Sequence, residues 1–422
     1  MTTMENNSLN ELAEKTLRSF KRNNNNLNST DLNITGAPIV ELVDKIINNA
    51  ILQKASDIHF EPREKNMCIR MRVDGILKNY AVFQRELHPL LISRIKIISN
   101  MNTVEKRKPQ DGSMSYKYSD RIIDIRISTI PSIHGEKLVM RLLNILGRCF
   151  TINELALSPA NENMFCKLFH RSSGLILNTG PVNSGKTATL YAALNELNAP
   201  EKNIVTIEDP VEYKLDNITQ IQINEGIGLT FEEALRATLR QDPDIILIGE
   251  IRDEQTAAIA VRAALTGHLV LSTLHTGSAV NAILRMLDMR VEPYLLSEAL
   301  AGCLSQRLLR CICPHCKTVY KPVENSLEDA FMKKYSLKYS FYGQGCDFCE
   351  NSGYLGRMAV QEIFIVRSAM RKSICRREDS SILKEIAMKN EMKPLLNDAI
   401  EKVLEGKTTI SEIMRVINDD DG

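Results

Sequence analysis

The sequence predicts an α/β fold in its larger, C-terminal part and a smaller α+β domain before it. From residue 174 onward, short apolar runs alternate with segments of helical periodicity, the pattern of a parallel sheet covered by helices on both faces. Before residue 149, one helical stripe is followed by segments in which apolar and polar residues alternate, as in half-buried strands. A chain of 422 residues is long enough for two or three domains.

Composition limits the classes of function. Hydrophobic residues make up 44% of the chain, and the formal net charge of +1 gives no excess positive field for nucleic acid or acidic lipid. No apolar run approaches the roughly 18 residues that cross a bilayer, and no signal sequence is recognisable. We therefore expect a cytoplasmic protein that binds no nucleic acid. Ten cysteines in such a protein indicate thiols or a metal site rather than disulfides.

Domain boundaries follow from changes in these patterns. Residues 1–35 include the asparagine run KRNNNNLNST, which offers little to bury, and we expect a flexible polar tail there. Residues 36–148 begin with an apolar stripe at helical spacing between Ile39 and Ile51, followed by the alternating segments CIRMRVDGIL and RIIDIRISTI. Residues 149–422 form the α/β domain.

A phosphate-binding loop is predicted where the apolar segment Leu175–Leu177 leads into a helix that begins near Ala188. The residues between them satisfy the pattern G-x-x-x-x-G-K-[ST]. Backbone N–H groups of such a loop wrap a polyphosphate, and the helix N-terminus adds partial positive charge. Lys186 would neutralise the β and γ phosphates, and the Thr187 hydroxyl would bind Mg²⁺. The eight expected nucleotide-binding residues are Gly180, Pro181, Val182, Asn183, Ser184, Gly185, Lys186 and Thr187.

Acidic groups follow two later apolar runs. Glu208 and Asp209 end the run in NIVTIEDPVEY, and Glu250 follows the run in DPDIILIGEIRD. Because the carboxyl ends of parallel strands meet at one edge of a sheet, acids there can hold Mg²⁺ or polarise a water. The alternative for Glu208 and Asp209 is a solvated surface pair. His275 ends a third run, LVLSTLHTG, and we expect it to contact the γ-phosphate rather than to be a structural residue.

Four cysteines form two C-x-x-C pairs, Cys313 with Cys316 and Cys346 with Cys349. Two such pairs can supply the four corners of a tetrahedron around Zn²⁺, a closed structural site. Reduced thiols without metal are the alternative, and His315 inside the first pair is a competing ligand.

The order of these motifs resembles that in the secretion ATPases of type II secretion and type IV pilus assembly. The resemblance rests on GPVNSGKTATLYA, VTIEDPVEY, LRQDPDIILIGEIRD, LSTLHT and RLLRCICPHC, and covers roughly residues 36–418. It implies a homohexameric ring of RecA-like ATPase domains, each preceded by a PAS-like domain. It also implies a zinc module at about residues 311–350, a C-terminal helical region at about 363–418, and a platform or anchor protein that recruits the ring to the inner membrane.

The resemblance also implies roles for single residues. Glu208 would orient or deprotonate the attacking water, Glu250 would act at the second phosphate-binding strand, and His275 would be the histidine-box residue. Arginines of the smaller domain would reach the phosphates, with a solvated strand face or a structural ion pair as the alternative for each. The candidates are Arg70, Arg72, Arg126 and Arg141.

The combined prediction is a Mg²⁺-dependent ATPase, with ATP, Mg²⁺ and Zn²⁺ as cofactors and with Lys186 among its catalytic residues. It would power the assembly of type IV pilus or type II pseudopilus subunits. The alternative is a nucleotide-binding scaffold that does not hydrolyse. Asn183 favours that alternative, because it stands where these ATPases usually have glycine. We also expect the chain to lack the long N-terminal domain through which many of them bind a membrane partner.

Overall fold

The computed structural model describes residues 3–24, 37–143 and 150–417. The chain divides into two compact units, Met1–Arg148 and Cys149–Gly422, and each is described by itself. Within the described ranges, none of the helices combines the length and the apolar character needed to span a membrane.

Unit 1 contains a six-stranded antiparallel sheet in the order β3-β2-β1-β6-β5-β4. Its helices are α1 (Thr3–Asn24), α2 (Ala37–Leu52) and α3 (His88–Ile98). Its strands are β1 (Asp57–Pro62), β2 (Asn66–Val73), β3 (Ile76–Gln84), β4 (Gln110–Tyr118), β5 (Arg121–Ser132) and β6 (Gly135–Leu142).

The two faces of this sheet differ because side chains alternate along each strand. On β1, Ile58 and Phe60 are fully buried in the core that the three helices share. Asp57, His59 and Glu61, which alternate with these two residues along β1, lie on the opposite face. That face carries Asp57 and Glu61 together with the arginines that pair with them.

The prediction of a flexible tail over residues 1–35 is wrong for residues 3–24, which form α1. Leu9, Leu12, Ala13 and Leu17 follow helical spacing and are buried in the core that α2 also lines. The average composition of this segment is polar because many polar residues surround the apolar stripe, so composition alone does not indicate the helix. Residues 25–35 of the predicted tail lie outside the described residues.

Unit 2 is built on a seven-stranded sheet in the order β15-β12-β7-β11-β10-β8-β9, with a separate two-stranded sheet of β13 and β14. All neighbours are parallel except β15, which runs antiparallel to β12. The strands are β7 (Gly174–Thr179), β8 (Ile204–Glu208), β9 (Thr219–Gln222), β10 (Ile245–Ile248), β11 (Leu269–Leu274), β12 (Leu300–Ile312), β13 (Lys317–Tyr320), β14 (Ser340–Gly343) and β15 (Tyr354–Ile365).

Helices cover both faces of the large sheet. Leu175 and Leu177 of β7 belong to one apolar core, whereas Ile176 between them belongs to another. The helices are α4 (Pro159–Phe169), α5 (Lys186–Leu197), α6 (Phe231–Thr238), α7 (Glu254–Leu265), α8 (Ala279–Asp288), α9 (Pro293–Ala299), α10 (Leu327–Lys334), α11 (Ser368–Arg376), α12 (Ser380–Lys389), α13 (Leu395–Leu404) and α14 (Ile410–Val416). The predicted α/β fold is confirmed.

Candidate nucleotide site

Four parallel strands deliver the predicted residues to one edge of the unit 2 sheet. Thr179, the last residue of β7, is in register with Leu274 of β11, and Ile207 of β8 is in register with Ile248 of β10. The phosphate loop, Glu208, Glu250 and His275 therefore all start from the same carboxyl edge. This is where open parallel sheets bind ligands.

The loop backbone takes up conformations that favour residues without a bulky side chain. Gly180 and Gly185 have φ angles of +148° and +86°, and a Cβ at Gly180 would lie 2.6 Å from the carbonyl oxygen of Gln306. Asn183 has a φ angle of +65°, in the left-handed region that asparagine tolerates better than most residues. Asn183 thus adopts a backbone conformation that glycine also favours.

Buried amide side chains hold the loop from the side of the sheet. Gln306 of β12 is 1% exposed; its Nε2 donates to the carbonyl oxygen of Ser184 at 2.7 Å. Asn178 is fully buried and donates from Nδ2 to the carbonyl oxygen of Lys186 and to Gln306 Oε1, both at 3.2 Å. Sequence reasoning missed both residues. With two loop carbonyls bound in the protein interior, the loop conformation is fixed by buried hydrogen bonds.

Lys186 lies inside the loop. It is 9% exposed, and its Nζ donates to the carbonyl oxygens of Gly180 at 2.8 Å and Pro181 at 3.0 Å. Burial lowers the pKa of Lys186 to about 8, opposed by the Glu250 carboxylate and assisted by the Arg307 guanidinium. The lysine therefore shares its electrostatic environment with Glu250.

Glu250 links the predicted residues of two strands. Its carboxylate pairs with Arg252, and its Oε2 lies 3.6 Å from Nε2 of His275. Burial and the positive charge of Lys186 lower the pKa of His275. Lys186, Glu250 and His275 thus form one cluster. Arg252 was missed, although it stands in the quoted motif LIGEIRD.

Glu208 is held within the protein rather than displayed on its surface. It is 3% exposed, and its Oε1 accepts from Thr206 Oγ1 at 2.6 Å and from Gln220 Nε2 at 3.2 Å. Its Oε2 accepts from the hydroxyl of Tyr191 on α5. These three donors fix the carboxylate in orientation. The role of Glu208 toward a water stays a prediction.

Thr187 contacts an acid that sequence reasoning did not single out. Its Oγ1 donates to Glu212 Oε1 at 3.3 Å. Glu212 belongs to the quoted motif VTIEDPVEY, four residues after Glu208, and its place in that motif was the available signal. Glu212 is therefore the acid that accepts a hydrogen bond from the Thr187 hydroxyl.

The candidate arginines lie on the charged face of unit 1. Arg70 pairs with Glu61 at 2.6 Å, while Arg72 and Arg141 approach Asp57 at 3.6 and 3.1 Å. Arg126 is in register with Arg141 across β5 and β6. Ion pairs within unit 1 thus hold three of the four. Their contact with phosphate stays a prediction.

The four predicted zinc ligands come together at the end of the two-stranded β13–β14 sheet, with all their sulfurs within 4.8 Å of one another. Three sulfur pairs are 3.7, 3.8 and 3.9 Å apart, and a tetrahedral zinc ion with bonds of about 2.3 Å would separate its sulfurs by about 3.8 Å. Backbone N–H groups of Cys346 and Gly353 donate to Cys349 Sγ and, against the effect of burial, lower the pKa of this thiol to about 6. His315 instead stacks on Phe348 with ring centroids 3.9 Å apart. The residues fit zinc.

The family model described as type II/IV secretion system protein matches residues 33–415. The chain belongs to this family. It is 46% identical over 385 residues to the putative type II secretion system protein E of Escherichia coli K12, covering 90% of this chain and 77% of that protein. It is 44% identical over 384 residues to the type II secretion system ATPase E of Vibrio cholerae, with 90% and 75% covered. Identity to the type IV pilus assembly ATPase PilB of Thermus thermophilus is 43% over 376 residues, 89% of this chain and 42% of PilB.

Solved structures agree with this family and fold. The pilus retraction motor PilT with bound ADP is 25% identical with a TM-score of 0.58, covering 88% of this chain and 95% of that chain. The ATPase DotB of Legionella pneumophila is 18% identical with a TM-score of 0.67, covering 89% and 95%, and shows similarity of fold. The family predicted from the motifs is confirmed.

Proposed function

We propose that this chain is a Mg²⁺-dependent ATPase whose hydrolysis powers the assembly of pilin-like subunits, in a type IV pilus or in the pseudopilus of type II secretion. The observation that carries the proposal is the cluster at the carboxyl edge of the unit 2 sheet. There a preorganised loop holds Lys186 next to Glu250 and His275. Relatives named as secretion and pilus assembly ATPases support the cellular role.

In the proposed reaction, water attacks the γ-phosphoryl group in line with the leaving ADP. The N–H groups of the loop bind the phosphates, and Lys186 compensates the negative charge that spreads over the γ-phosphate oxygens. Thr187 and Glu250 would hold Mg²⁺, either directly or through a water, and the bound ion would neutralise further negative charge on the phosphates. Glu208 orients the water, and its three hydrogen-bond donors keep the carboxylate in one direction. His275 contacts the γ-phosphate and reports on its presence.

The proposal includes a homohexamer, a platform or anchor protein at the inner membrane and a location at the cytoplasmic face of that membrane. The membership in a family with PilB and secretion ATPases supports these three points. Zn²⁺ bound by Cys313, Cys316, Cys346 and Cys349 would be structural, because four thiolates leave no open coordination position. The left-handed conformation of Asn183, which glycine also favours, supports the ATPase over the scaffold alternative, and the assay below separates the two.

A phosphate-release assay on the purified protein tests the proposal. Lys186→Ala should abolish Mg²⁺-dependent release of phosphate from ATP, and Glu208→Gln should reduce it strongly. Lys202→Ala removes an exposed lysine outside the loop and should leave the rate unchanged. Wild-type turnover in folded Lys186→Ala would contradict the assignment. Equal rates in the wild type and Glu208→Gln would favour the scaffold.

A further inference from the structure

We propose that Glu212 is the positioning carboxylate for the Thr187 hydroxyl and supplies an outer-shell acceptor for the Mg²⁺ that accompanies the nucleotide. The inference rests on the proposed function, because it concerns the metal of that same site. It starts from one contact, the hydrogen bond of 3.3 Å from Thr187 Oγ1 to Glu212 Oε1.

A threonine hydroxyl has one hydrogen and two lone pairs. To bind a cation, it must turn a lone pair toward the metal, so its hydrogen needs an acceptor elsewhere. Glu212 provides that acceptor for Thr187. With the hydrogen directed to Glu212, a lone pair of Oγ1 is available to a cation without further rearrangement. Partners of this kind, one shell beyond the ligands, are known to orient them and to tune metal affinity.

Two contacts fix Glu212 against helix α5. Its backbone N–H donates to the hydroxyl of Tyr191 at 3.4 Å, and Tyr191 in turn donates to Glu208. The ring of the next residue, Tyr213, meets the Tyr191 ring edge to face with centroids 5.7 Å apart. Tyr191 lies one helical turn after Thr187, so both follow the same face of α5. The helix therefore holds the hydroxyl and its acceptor in a common frame.

The charges of the cluster support an acid at this position. Glu250 already faces the cations Arg252 and Lys186 and the ring of His275. Mg²⁺ favours oxygen ligands and usually binds through one or two carboxylates together with water and phosphate oxygens. Glu212 adds negative charge at Thr187, where the metal would bind. The Glu208 carboxylate instead accepts its three hydrogen bonds from Thr206, Gln220 and Tyr191.

The test separates metal binding from turnover. Mn²⁺ replaces Mg²⁺ as a paramagnetic probe, and its binding is followed by electron paramagnetic resonance at saturating ADP. Glu212→Ala removes both the acceptor and the charge, and should weaken Mn²⁺ binding about tenfold or more, as expected for loss of an outer-shell partner. Glu212→Gln retains an acceptor oxygen and should show a smaller loss. Asp216→Ala removes an exposed acid from the same loop and should bind Mn²⁺ like the wild type.

ADP affinity without metal serves as the readout for an intact phosphate loop. It should stay unchanged in both Glu212 variants, because Glu212 acts through the metal. Should Glu212→Ala fail to fold, the isosteric Glu212→Gln decides: wild-type Mn²⁺ affinity there overturns the charge that we assign to Glu212. Wild-type Mn²⁺ affinity in folded Glu212→Ala overturns the inference altogether. A wild-type protein that binds Mn²⁺ with ADP but releases no phosphate would contradict the proposed function and leave this inference standing.

Discussion

The two sheets of this protein present polar groups in different ways. Unit 2 presents them at the edge of a sheet whose faces are both covered, and buried amides such as Gln306 support the loop there. Unit 1 presents them on one face of its sheet, where Arg72 and Arg141 flank Asp57 with side chains 31% and 57% exposed. Buried hydrogen bonds fix geometry, whereas the ion pairs of Arg72 and Arg141 with the buried Asp57 are screened by solvent on the arginine side and hold those side chains less firmly. The phosphate loop is therefore held in one conformation. Arg72 and Arg141 on the charged face of unit 1 can exchange ion-pair partners at a small cost in free energy.

The largest expected effect concerns the four-cysteine site, which lies outside both sheets. Cys346→Ser removes one of four thiolates, so we expect loss of bound zinc and a free energy of unfolding of unit 2 that is lower by several kcal/mol. Zinc content by mass spectrometry and calorimetric unfolding measure this. Cys375→Ser, at an exposed cysteine, is the control. Unchanged stability after complete zinc removal would show that the module holds its shape without metal.

Gln306→Leu tests how far buried hydrogen bonds hold the phosphate loop in place. It leaves the Ser184 carbonyl without its buried donor and one of the two Nδ2 hydrogens of Asn178 without an acceptor, each costing about 1–3 kcal/mol. We expect ADP affinity to fall roughly tenfold or more, since every 1.4 kcal/mol is a factor of ten. Titration of ADP checks this against Gln84→Leu at an exposed position. Full ADP affinity in Gln306→Leu would mean that the loop needs no support from β12.

Asp57→Asn tests the ion pairs on the charged face of unit 1. Asp57 is 4% exposed and receives Arg141, Arg72 and the hydroxyl of Ser56. Removing its charge should lower the free energy of unfolding of unit 1 by about 1–3 kcal/mol, the range for a hydrogen bond to a charged group. Chemical denaturation measures this, with Asp120→Asn in an exposed turn as control. A loss of unfolding free energy well above this range would show that Asp57 holds Arg72 and Arg141 as firmly as buried hydrogen bonds hold the phosphate loop.

The smallest effect concerns pH. Burial lowers the pKa of His88 in unit 1 below its usual 6.5, so the unfolded chain binds the proton more readily and unit 1 loses stability as pH falls through about 6.5. Burial raises the pKa of Glu362 in unit 2, an effect of opposite sign on acidification. His88→Gln should flatten the pH dependence of unit 1 unfolding between pH 7 and 5.5, followed by chemical denaturation. An unchanged slope would exclude His88 as its source.

Much of unit 2 could be predicted from the sequence because its signals are local. Each buried strand is a continuous apolar run, and the loop pattern gives Lys186 and Thr187 together with their strand and helix. The cysteine pairs predict their own cluster. Since parallel strands end at one edge, even the meeting of Glu250 and His275 followed from the pattern.

What the sequence did not give depends on contacts between distant residues or on weak patterns. Gln306 lies 122 positions from Ser184, and nothing in its neighbourhood marks it as a loop support. Glu212 contacts Thr187 because of how the chain turns after β8, which spacing does not encode. The helix α1 was hidden by the polar residues around its stripe, because composition averages over all faces of a helix.

Strand β12 has a mechanical consequence. This 13-residue strand carries Gln306 beneath the loop and ends one residue before Cys313. It is bonded to β7 on one side and to β15 on the other, so a pull along its axis must shear two ladders at once. The two sites lie about 20 Å apart along the strand, at about 3.3 Å per residue. A displacement of the four-cysteine site along this strand would therefore be passed to Gln306, the residue that supports the phosphate loop.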